Sequence, residues 1–214
     1  MYKAVIFDLD GTLLNTIDDL AASVNFALRK FGFPERTTDE VRRFVGNGVI
    51  KLMQRATPDD IDNETQEKCF LAFREYYLEH MQDSTRPYDG VMQILETLKE
   101  NGIKTAVVSN KLHSGVVGLC KEFFGNNLTC AFGVEIEEER KPSPANVFKA
   151  FKQLGVMPHE AIYVGDSEVD VQTATNAGLD CIGVTWGFRD KTELVKAGAK
   201  FIIDKPSEIE KLVF

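Results

Sequence analysis

Asp8 and Asp10 stand two residues apart at the end of an apolar run, Ala4-Val5-Ile6-Phe7, and Gly11 and Thr12 follow at once. Val5, Ile6 and Phe7 suit a buried strand, and two carboxylates just beyond it are costly to bury unless a cation or bound ligand compensates them. Aspartates also open turns with glycine, so the pair alone reads either as a strand end or as a reacting site. Later segments add chemistry of the same kind. Ser109-Asn110 follows the apolar run Ile103 to Val108, and Lys141 follows the acidic run Glu135 to Glu139. Gly165-Asp166-Ser167 ends another apolar run, and Asp170 comes four residues after Asp166, so a helix starting there turns both carboxylates toward one point.

Four aspartates, a lysine and hydroxyl or amide donors need a cation to hold the acids together, and all-oxygen ligation favours Mg²⁺. Phosphate is then the natural substrate group. A carboxylate nucleophile repels a phosphate dianion unless Mg²⁺ and a lysine neutralise the approach, and carboxylates do react this way through aspartyl-phosphate intermediates.

The elements that must position these residues alternate. From Gly90 onward, helical segments near 91–100, 112–124, 144–154, 168–177 and 190–197 alternate with strands near 103–108, 130–134, 161–165, 180–185 and 200–203. This predicts an α/β fold: a doubly wound, Rossmann-like parallel sheet covered by helices, in which ligands gather at the carboxyl ends of the strands. Between residues 15 and 84 the pattern is helical throughout. Ile17, Leu20, Val24, Leu28 and Phe31 recur at helical spacing, as do Phe70, Phe73, Tyr77 and Met81. That block is too long for an ordinary crossover. The expected organisation is a catalytic core of residues 1–14 and 85–214, with 15–84 as a helical cap inserted after the first strand.

The 214 residues, 43% of them hydrophobic and 27% charged, allow one large domain or a domain with a smaller second one. The net charge of -8 repels nucleic acid and anionic membranes, so neither is expected as a partner, and an anionic substrate needs local positive charge or metal. No run approaches the roughly 18 to 20 apolar residues of a membrane span, and the amino terminus lacks signal-peptide features. A cytoplasmic protein, monomer or homodimer, is expected. Cys69, Cys120, Cys130 and Cys181 are scattered and read as reduced thiols, while His80, His113 and His159 show no ligand spacing.

In order along the chain, Phe7-Asp8-Leu9-Asp10-Gly11-Thr12, Ser109-Asn110-Lys111, Lys141-Pro142-Ser143-Pro144 and Val164-Gly165-Asp166-Ser167-Glu168-Val169-Asp170 resemble the four motifs of the haloacid dehalogenase superfamily, specifically its phosphatases with a small helical cap. The resemblance implies that Asp8 is the nucleophile and a Mg²⁺ ligand. It makes Asp10 the general acid and then general base, its carbonyl also meeting the metal. Ser109 and the amides around Asn110 would hold the phosphoryl oxygens, with Gly11 and Thr12 in the same substrate-binding loop. Lys141 would bridge phosphate and Asp8, Asp166 would complete the metal shell, and Asp170 would act on the metal directly or through water. Asp10 argues against the dehalogenase branch, which has no leaving alkoxide to protonate. Thr12 favours phosphatases over sugar-phosphate mutases, a weak discriminator.

Phe44 to Leu52 resembles the cap segment of phosphoglycolate phosphatases, and Gly183-Val184-Thr185-Trp186-Gly187 resembles their loop after the fifth strand. Gly46 and Gly48 either admit a small ligand to the cap backbone or mark a helix boundary, and Arg43, Asn47 or Lys51 could read a distal carboxylate or second phosphate. Trp186 reads as loop packing. The expected activity is hydrolysis of a small phosphorylated metabolite, 2-phosphoglycolate first. Pyrophosphate, broad sugar-phosphate hydrolysis, a phosphomutase and a non-catalytic binding module are the alternatives.

Overall fold

A computed structural model describes all 214 residues. The chain divides into two compact units, Met1–Leu14 with Pro87–Phe214, and Asn15–Arg86.

In the first unit, β1 (Ala4–Phe7) is buried on both faces, as its unbroken apolar sequence requires. Two-residue strands β2 (Leu14–Asn15) and β3 (Arg86–Pro87) form a small ribbon where the chain passes between units. Helices α1 (Ile17–Lys30), α2 (Thr38–Phe44), α3 (Val49–Ala56) and α4 (Asn63–His80) fill the second unit. The first unit then continues with α5 (Val91–Glu100), β4 (Lys104–Leu112), α6 (His113–Phe124), β5 (Cys130–Val134) and α7 (Ala145–Leu154). It closes with β6 (Ala161–Gly165), α8 (Glu168–Ala177), β7 (Asp180–Val184), α9 (Lys191–Ala197), β8 (Phe201–Ile203) and α10 (Ile209–Val213).

The main sheet has the order β5-β4-β1-β6-β7-β8, with parallel pairing throughout. β1 is therefore central, with β4 on one side and β6 on the other, and the chain changes direction across it. Crevices at such a switch point, at the carboxyl ends of the strands, are where open α/β sheets bind ligands. Register brings the ends together: Phe7 lies opposite Val107 and Val164, so Asp8, Ser109 and Asp166 all sit just past the paired residues. One face of the sheet packs Ala4, Ile6, Ala106, Val108 and Tyr163 against α7 and α8, through Val147, Phe151, Val171 and Ala174. Each fully buried large side chain in such a core stabilises the fold by about 1.5–3 kcal/mol.

The strand expected over 103–108 runs on to Leu112. The pairing with β5 shifts register between Val108 and Leu112, so Ser109, Asn110 and Lys111 occupy an irregular tail of β4. Gly133 on β5 makes room for that tail, because a Cβ there would come 2.5 Å from the Lys111 carbonyl oxygen.

In the helical unit, α1 and α4 pack together, with Phe26 stacked on Tyr76 at 4.1 Å. Asp19 is buried and accepts from the Ser84 and Thr85 amides at 2.8 and 2.9 Å, closing the unit's two chain ends onto one side chain. α2 opens with a capping box in which Thr37 and Glu40 exchange hydrogen bonds. No helix is long and apolar enough to cross a membrane.

Candidate active site

The tight loop after β1 is wound around the Leu9 carbonyl, which accepts from the amides of Thr12, Leu13 and Leu14. Gly11 takes a φ of 89° there, a region costly for any residue with a Cβ. Asp8 is 7% exposed, and its amide donates to the Val164 carbonyl at 2.9 Å, locking the end of β1 to β6.

Around Asp8 the core unit gathers Asp166, Asp170 and Lys141, all nearly fully buried. One oxygen from each of the three carboxylates lies within 4.8 Å of the others. Lys141 Nζ stands 2.8 Å from Asp8 Oδ1 and donates to Asp170 Oδ1 at 2.7 Å. Despite that ion-pair contact, Asp8 Oδ1 has no aligned hydrogen-bond donor.

Asp170 is the N3 residue of a capping box at the start of α8. Its Oδ2 accepts from the Ser167 amide at 3.1 Å and hydroxyl at 2.6 Å, while the Tyr163 hydroxyl lies 3.3 Å from Oδ1. A carboxylate has about four acceptor positions, so protein donors nearly fill this one. Gly165 permits the arrangement, since a Cβ there would fall 2.3 Å from Asp170 Cβ. Asp166 accepts from Thr12 Oγ1 at 3.3 Å and from the Phe188 amide at 2.7 Å. Trp186 Nε1 donates to the Thr12 carbonyl at 3.0 Å, so the segment after β7 braces both the first loop and Asp166.

Electrostatics follow from three acids sharing one lysine. Burial, then repulsion from Asp170, raises the Asp8 carboxyl well above the usual carboxylate range. The same two causes push Asp166 up to about 7, against the Phe188 amide, Lys141 and Arg189. Burial alone would lower Lys141, but Asp170 and Asp8 reverse this and hold it firmly protonated. The cluster carries more negative charge than one ammonium can neutralise. A buried Asp8 oxygen that meets only the Lys141 ammonium, at poor alignment, a neighbouring Asp166 and an all-oxygen donor set fit a hard divalent cation such as Mg²⁺.

Ser109 is buried on the β4 tail, and its Oγ accepts from the Lys111 amide at 3.3 Å. Asn110 spends its side chain on the Lys141 backbone, accepting from N at 2.7 Å and donating to O at 3.3 Å, which ties motif two to motif three. Asp10 stands apart from the carboxylate cluster and pairs with Lys111, whose Nζ is 3.1 and 3.2 Å from its two oxygens.

Arg43, Asn47 and Lys51 belong to the helical unit. Arg43 and Lys51 are exposed there, and the Asn47 side chain accepts from Arg55 at 2.8 Å. Gly46 and Gly48, between α2 and α3, take φ of 124° and 83°, so the backbone itself requires glycine at both.

Sequence reasoning quoted Lys111 in a motif without giving it a role, and did not single out Tyr163 or the Phe188 amide. Lys111 carried a signal, because it lies two residues past Ser109 on a strand and alternate residues share a face. Tyr163 sits in the run Ala161-Ile162-Tyr163-Val164 and looks like any core residue. A backbone amide has no signature at all.

Comparison with known proteins agrees with this geometry. A family model described as haloacid dehalogenase-like hydrolase matches residues 5–184. The chain is 34% identical over 216 residues to the phosphoglycolate phosphatase of Aquifex aeolicus, covering 99% of this chain and 96% of the relative. It is 33% identical over 208 residues to that of Pseudomonas putida, covering 94% and 76%. A crystal structure from Lactobacillus delbrueckii subsp. bulgaricus superposes with a TM-score of 0.95 at 33% identity, covering 100% of this chain and 98% of that one. With a model spanning most of its length and relatives aligned nearly end to end, the chain belongs to the haloacid dehalogenase-like hydrolase family.

Proposed function

We propose that this protein is a Mg²⁺-dependent phosphatase that hydrolyses 2-phosphoglycolate through a phosphorylated Asp8. The observation that carries the reading is the Asp8 oxygen, buried, without an aligned donor, and 2.8 Å from an ammonium that can escort a phosphate dianion. The substrate is suggested by the relatives, several of which are named phosphoglycolate phosphatase.

Asp8 and Asp166, with the Asp10 carbonyl, would hold the Mg²⁺, which neutralises charge and polarises the phosphoryl oxygens when bound. Asp170 contributes by fixing Lys141 and Ser167, because its own acceptor positions are nearly all taken. One Asp8 oxygen attacks phosphorus as the bond to the alcohol oxygen breaks. Asp10 gives that oxygen its proton and releases the alcohol. Asp10 then takes a proton from water as the water oxygen attacks phosphorus, the bond to Asp8 breaks, and inorganic phosphate leaves with Asp8 restored. The Ser109 hydroxyl donates a hydrogen bond to a phosphoryl oxygen, and Lys141 neutralises the charge that builds up at Asp8 and phosphate. Residues 15–84 serve as the substrate-selecting cap, with Arg43, Asn47 and Lys51 as its candidate readers.

Phosphate release from 2-phosphoglycolate, pyrophosphate and glucose 6-phosphate, compared as kcat/KM with Mg²⁺, tests the reading. The expected order puts 2-phosphoglycolate first, and Asp8→Asn is expected to lose turnover while keeping the native circular dichroism. Turnover retained by Asp8→Asn would remove the nucleophile, and equal, low efficiencies across the panel would remove the substrate.

A further inference from the structure

The tail of β4 carries Lys111 to Asp10, its side chain only 7% exposed and Nζ 3.1 and 3.2 Å from the two carboxylate oxygens. Lys111 has a further partner besides Asp10, and its stem lies along Gly115 of α6, where a Cβ would stand 3.5 Å from Cδ. The ammonium is therefore a fixed point rather than a mobile surface charge. A buried ion pair of this kind adds little stability compared with apolar side chains of similar volume, so fold stability alone gives no reason to keep it. Reaction geometry does. In-line transfer puts the leaving oxygen on the far side of phosphorus from the attacking Asp8 oxygen. The acid that protonates it must stand clear of Asp8 and still come within about 2.6–3.2 Å of the leaving oxygen. Asp10 is only two residues from Asp8, yet it does not join the group formed by Asp8, Asp166 and Asp170. The cation of that group, Lys141, is already shared by Asp8 and Asp170. A second lysine gives Asp10 a cation of its own.

We propose that Lys111 is the positioning residue for proton transfer: by gripping Asp10 it holds that carboxyl away from the Asp8 cluster, on the leaving-oxygen side of the phosphoryl group. The inference rests on the phosphatase reading of the site and adds to it a residue that acts only through Asp10. Lys111 follows Ser109 by two residues on the same strand tail, and its amide donates to the Ser109 hydroxyl oxygen at 3.3 Å. One backbone segment thus sets both the phosphoryl-binding hydroxyl and the anchor of the proton donor. When Asp10 carries the proton on one oxygen, the other still accepts from Nζ, so the anchor serves the acid and the base alike. Without it the carboxyl is free to turn, and the reaction loses what orientation of the acid supplied. That loss grows with the basicity of the leaving oxygen, because an alkoxide needs the proton and a stable phenolate does not.

The test compares kcat/KM with Mg²⁺ for ethyl phosphate, phenyl phosphate and p-nitrophenyl phosphate in the wild type, Lys111→Met, Lys111→Arg and Asp10→Asn. None of the three esters carries a second anion, and the two aryl esters differ little in size but widely in how readily the phenolate leaves. General acid catalysis contributes about 10²- to 10⁴-fold where the leaving group needs its proton. Lys111→Met should lose about 10- to 100-fold with ethyl phosphate, less with phenyl phosphate and no more than about threefold with p-nitrophenyl phosphate, and Lys111→Arg should recover part of the loss. Asp10→Asn should show the same gradient more steeply. Adding Lys111→Met to Asp10→Asn should then change ethyl phosphate hydrolysis by less than about threefold, because the two residues act as a unit. Equal losses on all three esters in Lys111→Met, beside a graded loss in Asp10→Asn, would overturn the Lys111 assignment alone. Equal losses in Asp10→Asn as well would refute Asp10 as the acid, and the inference with it. If Lys111→Met does not fold, Lys111→Gln gives the same comparison.

Discussion

Metal affinity should depend steeply on pH below neutrality, because Asp166 must lose a proton before it can act as a ligand. Burial and Asp170 push its carboxyl up to about 7. At pH 6 about nine-tenths of it is protonated in the metal-free protein, and each further pH unit downward weakens Mg²⁺ binding about tenfold, or about 1.4 kcal/mol. Asp8 is raised by the same causes and steepens the slope. The same shift has a stability consequence of definite sign. An acid whose folded pKa is raised contributes stability that is full below its unfolded value, near 4, and is lost as pH rises through about 7. The metal-free protein should therefore gain most from Mg²⁺ above pH 7, by about 2.7 kcal/mol at an ion concentration 100 times the Kd. Isothermal titration calorimetry from pH 5.5 to 8, in buffers of different ionisation enthalpy, counts the protons displaced. At least about one proton per ion is expected at pH 6. An affinity that varies less than about twofold across this range, with no proton release, would refute the electrostatic account of the cluster.

Two further perturbations address how the cluster is held. Gly187→Ala places a Cβ 2.3 Å from Asp166 Cβ and 2.4 Å from the Gly11 carbonyl. It should destabilise the protein by about 1–3 kcal/mol and weaken Mg²⁺ binding by about 10- to 100-fold, read by thermal denaturation and calorimetry. Tyr163→Phe removes the buried hydroxyl lying 3.2 Å from the Val108 carbonyl and 3.3 Å from Asp170. It should cost about 1–3 kcal/mol, a fall of several degrees in Tm, and an unchanged Tm would show that the hydroxyl is not part of the network.

The alternation of apolar strands and amphipathic helices after Gly90, and the helical block before it, were legible because periodicity reports which faces must be buried. Asp8, Ser109, Lys141, Asp166 and Asp170 were legible as polar residues at the ends of, or shortly after, apolar runs, where burial demands compensation. The order of the strands was not, because pairing depends on which edges meet in space. That order puts β1 between β4 and β6 and so brings the three strand ends together. The share of each carboxylate left open was also undecided by residue type. Asp166 and Asp170 are the same residue four positions apart, yet Ser167, Lys141 and Tyr163 surround one while the Phe188 amide and Thr12 orient the other. The division of Asp8 from Asp10 is spatial in the same way. Sequence places them two residues apart with equal chemistry, whereas the fold gives Lys141 to the first and Lys111 to the second, because lysines distant in the chain meet them only once the sheet has formed.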